Sequence, residues 1–431
     1  MTELNTVPEE FLHFIWENKL FDSNHLYTTE GELVEIIHTG YRNHNSGPDF
    51  FNAKVKIAGT IWAGNIEIHK KASDWHKHNH TNDKAYSNVI LHAVEKADIP
   101  ILRDNLSEIP TVELFWPSHL TRNYNNLLKA DSWICCQDDF HKIDPVALRI
   151  GFNRLMIERL EEKTGEITLR LNNNHHNWNE TFYQMLARTF GFKVNASPFE
   201  LLAKAVPEQL LARHRSRLFS IEAMLFGTSG LLHEELFGDK YFMDLRNEYS
   251  FLAKKYSLKM IEAHLWKFMR MRPVNFPTVR IAQLAALVYR SHVLFGKIID
   301  CSTLKDLRML FKVTASDYWD THYRFNRKAP NAVPKELGDH SIDSLIINVV
   351  IPFLFVYGEN QNQSHLKNKA LDFLEELPPE NNAIIRKWEA LGIDARSAFE
   401  TQALLQLKNK HCIKKLCLNC SIGHTIIKNI S

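Results

Sequence analysis

The sequence predicts an α+β protein in two parts: a mixed α/β sheet domain over residues 1–135, then a mostly α-helical region over residues 140–431. Three observations carry this expectation. Residues 51–57 (FNAKVKI) and 61–69 (IWAGNIEIH) alternate apolar and polar on either side of Ala58-Gly59-Thr60, the pattern of two strands joined by a turn. Residues 88–94 (NVILHAV) are almost continuously apolar, which suits a strand buried within the sheet. At Asp144-Pro145 an Asp N-cap and a Pro at the first helical position open a long run of helical spacing, and no strand alternation follows it.

The elements follow in order. Residues 8–20 form an amphipathic helix with Phe11, Ile15, Trp16 and Leu20 on one stripe. Residues 33–38 (LVEIIH) read as a strand, followed by the polar turn R-N-H-N-S-G-P closing on Asp49, and residues 111–115 (TVELF) add a further strand. Beyond Asp144, helices are expected around 178–190, 198–212, 217–226, 242–256, 259–269, 278–294, 342–356, 366–376, 380–390 and 395–410. The most apolar run, Leu345 to Tyr357, holds Asn348 and Pro352. It is shorter than the roughly 20 apolar residues of a membrane span, and so reads as a buried core helix kinked or ended near Pro352.

The 431 residues carry a formal net charge of +2, with 45% apolar and 24% charged residues. That composition is globular, allows two or three domains, and exerts no global pull toward nucleic acid or membrane. The N-terminus lacks a basic segment followed by an apolar one, so no signal peptide is expected. With six cysteines in such a chain, free thiols or a metal site are expected rather than disulfides, in a cytoplasmic protein. There is no Walker A loop, Rossmann glycine pattern, nucleophile elbow or His-Glu-x-x-His, and only 16 glycines, which argues against a nucleotide cofactor.

Candidate chemistry concentrates early. Seven of the 22 histidines fall between His38 and His92. Asp49 enters a strand in G-P-D-F, and Glu67 and His69 share one face of the next strand. A hairpin turning at 58–60 sets Asp49 opposite residues near 67–69, so Asp49 and Glu67 can share a divalent ion, Mg²⁺ or Mn²⁺. A second grouping, S-D-W-H-K-H-N-H followed by His92, offers His78, His80 and His92 as a three-histidine zinc set, or as auxiliaries with Asp83 to the carboxylate site. The bland alternative is that these residues form a polar loop over the cleft that holds Asp49 and Glu67.

Gly47-Pro48-Asp49 followed by Glu67-Ile68-His69 on the neighbouring strand resembles the signature of the PD-(D/E)XK nuclease superfamily, with His69 where that pattern usually has Lys. The resemblance implies a core of a helix, a sheet of about four strands and a second helix. It also implies metal-dependent phosphodiester hydrolysis. Asp49 and Glu67 would bind the metal, His69 would position or deprotonate the attacking water, and Lys70 would contact phosphate if the strand bulges. Across nearly the whole chain, G-P-D-F, E-I-H, S-D-W-x-x-H-x-H-x-x-D-x-A-Y-x-N-V-I-L-H, R-P-x-N-F-P-T-x-R-I-A-Q-L-A and the terminal cysteines resemble a bacterial family, domain-of-unknown-function 2851.

Two further features stand outside that site. Cys412, Cys417, Cys420 and His424 have knuckle spacing for a structural zinc or an iron–sulfur cluster, with Cys135 or Cys136 as an alternative fourth ligand. An upstream Cys joining three C-terminal ones is similar in outline to the cluster that ties chain ends together in some nucleases of that superfamily. Arg272 and Arg280 flank a Pro-bracketed stretch and, with Lys71, are candidates for binding phosphate, although a rigid interhelical corner explains them as well. The sequence thus points to a metal-dependent nuclease with nucleic acid as partner. Its rivals are a zinc hydrolase using His78, His80 and His92, or a non-catalytic scaffold, and the oligomeric state is left open.

Overall fold

A computed structural model describes residues 7–103, 105–233, 238–291 and 293–429. The chain forms two compact units, one of residues 1–151 with 407–431, the other of residues 152–406.

The first unit is built on a six-stranded mixed sheet. Helix α1 (Glu9–Glu17) begins after Pro8 and buries Phe11, Leu12, Phe14, Ile15 and Trp16. The strands are β1 (Val34–His38), β2 (Tyr41–Arg42), β3 (Phe50–Ile57), β4 (Thr60–Lys71), β5 (Val89–Lys96) and β6 (Thr111–Glu113). Their spatial order is β1-β3-β4-β5-β6, with β2 pairing β3. Strands β1, β3 and β4 run antiparallel, whereas β5 is parallel to β4 and β6 is parallel to β5. The β3–β4 turn is tight because Ala58 and Gly59 both adopt positive φ, 46° and 87°, the two-residue geometry that matches strand twist. Strand β5 lies inside the sheet with its first six residues buried, as its continuous apolar run predicts. Short helix α2 (Asp74–Lys77) and two 3₁₀ turns fill the crossover from β4 to β5. Helix α3 (Ser118–Lys129), not expected from the sequence, and the last helix, Ser421–Lys428, pack together in this unit.

The second unit is helical, apart from a small hairpin, His322–Arg324 with Arg327–Lys328, that the sequence pattern does not reveal. The helix expected over 198–212 is two, Ala196–Ala205 and Glu208–Ala212, because Pro207 has no N–H to continue the ladder. The helix expected over 259–269 does not form; only Ala263–Leu265 makes a 3₁₀ turn. Tertiary partners take its backbone groups instead: Asn195 donates to Lys267 O at 2.9 Å and accepts from Lys267 N at 2.8 Å, and Ile261 N donates to Thr228 O. The helix expected over 278–294 ends at Arg290, a new one starts at Leu294, and His292 lies outside the described residues. Helix Leu304–Phe311 was not expected. The apolar run is part of a helix from Asp339 to Asn360 that continues past Pro352 by widening to a π turn at Ile346–Val350. That widening absorbs the missing N–H and the ring of Pro352 without a break. By length and composition this helix reaches the size of a membrane span, but 67% of its most apolar window is buried inside the protein.

Candidate metal centre

Strand alternation turns Glu67 and His69 to one face of β4, and both are buried, 4% and 1% exposed. Because Phe50 pairs with Ile66, the next pair back sets Asp49 against Glu67. The two are stitched across the ladder: Asp49 N donates to Glu67 Oε2 at 3.1 Å, and Ile68 N donates to Asp49 Oδ2 at 2.9 Å. From the other side β5 registers His92 with Glu67, and His92 Nε2 lies 2.9 Å from His69 Nδ1.

The crossover delivers the remaining imidazoles. Trp75 is the buried anchor of α2, and Asn79 takes the left-handed conformation (φ 59°) that short polar side chains tolerate. The chain therefore doubles back, and His78 and His80 both reach His69. His69 Nε2 is 3.1 Å from His78 Nδ1 and 3.5 Å from Glu67 Oε1, and His80 Nε2 is 3.1 Å from the same Oε1. The ring of Tyr86 stacks on His80 with centroids 3.8 Å apart, and Trp75 meets His69, His80 and His92 edge-on.

These spacings fit a shared ion. Nitrogen and oxygen ligands at 2.0–2.1 Å in a tetrahedron stand about 3.3 Å apart. Among the described residues, His69, His78 and His80 each offer a ligand atom within 4.8 Å of the others. Moreover, His80 Nε2 is buried without a hydrogen-bond partner even though Glu67 Oε1 is close. The two atoms approach to 3.1 Å without the alignment of a regular hydrogen bond, a spacing that an ion between them also fits. A donor set of three imidazoles and a carboxylate suits Zn²⁺ or Mn²⁺ better than Mg²⁺.

Electrostatics favours the ligand forms of the histidines. Burial, then the neighbouring His92, His80 and His78, pushes His69 down to about 2. Burial does the same to His92, down to about 3, and lowers His80. These rings are neutral at pH 7, with a lone pair each. Burial and then Asp49 push Glu67 up to about 9, so its buried site holds a proton that a cation can replace.

Helix α1 adds two groups that strand reasoning overlooks. His13 Nε2 is 3.2 Å from Asp49 Oδ2 and buried, without a hydrogen bond of its own. Glu9, one turn earlier, is raised by burial and then by Asp49. Their signal in the sequence is a Glu-x3-His pair on an otherwise apolar helix, since residues four apart share a face.

Other sequence-predicted residues fall elsewhere. Lys70 is half-buried and, by alternation, on the face opposite Glu67 and His69; the β4–β5 register shows no bulge at that point to turn it inward. Lys71 is exposed, its N–H donating to Asp74 Oδ2. Asp83 caps the 3₁₀ turn before β5 by accepting from Ala85 N. In the second unit, Arg280 is buried and directs its guanidinium to Gln283, Asn275 and Ser341 at 2.6–2.9 Å, and Arg272 opens the Pro273–Asn275 turn. The Arg280 contacts are those of the rigid corner, and Arg272 is exposed. The ring of His424 lies tilted against Phe14, centroids 4.8 Å apart, and its Nε2 is 2.5 Å from Leu418 O. Of the expected His78, His80 and His92 grouping, the structure brings His78 and His80 together with His69, and His92 meets His69 Nδ1 through its Nε2.

Fold and site together define an α+β protein with a buried histidine–carboxylate centre at one face of a mixed sheet. Residues 9–383 match the family described as "Protein of unknown function (DUF2851)", and the chain belongs to that family. No curated protein and no solved structure matches the chain.

Proposed function

We propose that this protein is a divalent-metal-dependent hydrolase of phosphodiesters, with nucleic acid as its substrate. The observation that carries the metal is the convergence of Glu67 Oε1 with His69 Nε2 and His80 Nε2 at 3.5 and 3.1 Å, and of His78 Nδ1 with His69 Nε2 at 3.1 Å. The phosphodiester class is supported by Asp49 and Glu67 meeting on adjacent strands, behind a helix and beside a parallel strand, as the nuclease resemblance implies.

Glu67, His69, His78 and His80 would hold the ion, which when bound polarises a phosphoryl oxygen and lowers the pKa of a coordinated water. His69 is then a ligand rather than the base. Its Nδ1 must carry the proton and donate to His92 Nε2, which orients the ring. His13, its Nδ1 accepting from Arg42 and its Nε2 set 3.2 Å from Asp49 Oδ2, orients that carboxylate beside the site. Lys71, on the exposed end of β4, contacts the substrate backbone.

The test is cleavage of single- and double-stranded DNA and RNA with Mn²⁺, Zn²⁺ or Mg²⁺. Cleavage is expected with Mn²⁺ or Zn²⁺ and to fall more than about 100-fold in Glu67→Ala, since even second-layer changes at metal sites cost 10–100-fold. Cleavage that survives Glu67→Ala defeats the reading. A second reading, a zinc hydrolase of non-nucleic esters, is favoured by the preponderance of imidazole ligands. Zinc-supported ester hydrolysis without nucleic-acid cleavage would select it, and no bound metal with no activity would leave a scaffold.

A further inference from the structure

All six cysteines are outside disulfides, and five of them gather in one place. Cys135, Cys136, Cys412, Cys417 and Cys420 line a single small cavity of about 20 Å³ with His411, Leu416 and Gly423. All of these residues belong to the first unit. Two stretches far apart in sequence, the turn at 135–136 and the last 25 residues, thus meet at a wall of thiols.

The meeting is built by other contacts. Lys415 Nζ donates to Leu128 O and Ala130 O at 2.7 and 3.2 Å, and Lys408 Nζ donates to Trp133 O at 2.5 Å. Asn123 Nδ2 donates to Asn429 O at 2.8 Å. The knuckle itself needs glycine: a Cβ on Gly423 would stand 2.2 Å from Cys417 O, so only a bare backbone lets the last helix close over Cys417.

One upstream thiol is singled out. Cys136 lies within electrostatic range of Cys412, Cys417 and Cys420, while Cys135 is hydrogen-bonded to Cys417 and next to Cys136. Half-buried thiols lining one cavity, with no disulfide between them, are a poor arrangement for a hydrophobic core and a good one for a soft metal.

We propose that Cys136, Cys412, Cys417 and Cys420 hold a thiolate-bound metal centre, zinc or iron–sulfur, that fastens the C-terminal segment to the sheet unit. The ligand set replaces the expected His424 with Cys136. Binding converts four thiols to thiolates, and their protons leave to solvent. Among the described residues no three of the sulfurs come within 4.8 Å of one another. The edge of a four-thiolate zinc site is about 3.8 Å, from Zn–S of 2.3 Å. A zinc ion therefore requires the thiols to draw in, while a cluster of several metal atoms bridges the wider gap.

The experiment is metal and acid-labile sulfide analysis of full-length protein purified without oxygen, in a His69→Ala/His80→Ala background. That background separates this centre from the histidine site: either can fail alone. Iron with sulfide, or one zinc per chain, is expected, and the two results identify the metal. Cys417→Ser should abolish the bound metal and Cys135→Ser should keep it. Because a Cys417 variant risks misfolding, thiol alkylation of the unmutated protein runs beside it. The four ligands should be protected while Cys135 and Cys301 react, and a chelator should expose them with the far-ultraviolet circular dichroism retained. No metal, or four thiols that alkylate as fast as Cys301 before chelation, overturns the proposal.

Discussion

At the scale of single residues, the centre rests on which nitrogen of each ring is free. His92 Nε2 lies 2.9 Å from His69 Nδ1, and its own Nδ1 is buried without a partner. It acts as a positioning residue. Replacing it with Phe should keep the packing and weaken zinc affinity about 10–100-fold by calorimetry; an unchanged affinity would remove His92 from the site. In the second unit, Glu222 accepts from Tyr241 and Ser316 at 2.7 Å, and burial pushes it up to about 7. The folded state therefore keeps a proton that the unfolded chain releases near pH 4.5. This contribution is fully present below that pH, is lost as pH rises toward 7, and stays lost above it. Glu222→Gln should flatten the profile, gaining on the order of 2–3 kcal/mol relative to the unmutated protein between pH 5 and 8. Chemical denaturation across that range measures it.

At the scale of elements, the β3–β4 hairpin sets the register that pairs Asp49 with Glu67. Its turn places Ala58 and Gly59 in the left-handed region. Gly59→Val should cost about 1–2 kcal/mol, read by urea unfolding, because a β-branched residue is strained at positive φ. The loss should come with weaker metal binding if the register slips, since a one-residue shift turns Glu67 and His69 to the other face. The elements also show where pattern reading succeeds. Strands β3, β4 and β5 are legible because each has a face or a run that only a sheet can bury, and the Asp49–Glu67 juxtaposition follows from counting around a short turn. The crossover is not legible in the same way. Whether His78, His80 or His92 joins the carboxylate depends on the left-handed turn at Asn79 and on the parallel pairing of β5, and neither has a periodic signature.

At the scale of the whole molecule, the C-terminal segment matters most. Leu418, Ile422, Ile426 and Ile427 are buried, and the segment belongs to the unit that also contains residues 1–151. Ending the chain at Gln406 removes this apolar surface from the first unit. Burial of one such side chain contributes about 1.5–3 kcal/mol. The truncated protein should therefore lose amide protection in residues 9–130 by hydrogen exchange while helices in 178–290 keep theirs; uniform loss in both units would count against the division.

The sequence by itself determined the α+β class, the strands that carry Asp49, Glu67 and His69, and a knot of histidines and cysteines suited to metals, because periodicity and residue chemistry are local properties. Only the tertiary structure decided that α1 brings Glu9 and His13 to the carboxylates, that His69 rather than His92 stands with His78 and His80, that Arg280 serves its corner, and that Cys135 and Cys136 line one cavity with the terminal cysteines. Each of these is a long-range choice of partner. It is made by sheet register and by which surfaces pack together, and the spacing of residues along the chain does not encode it.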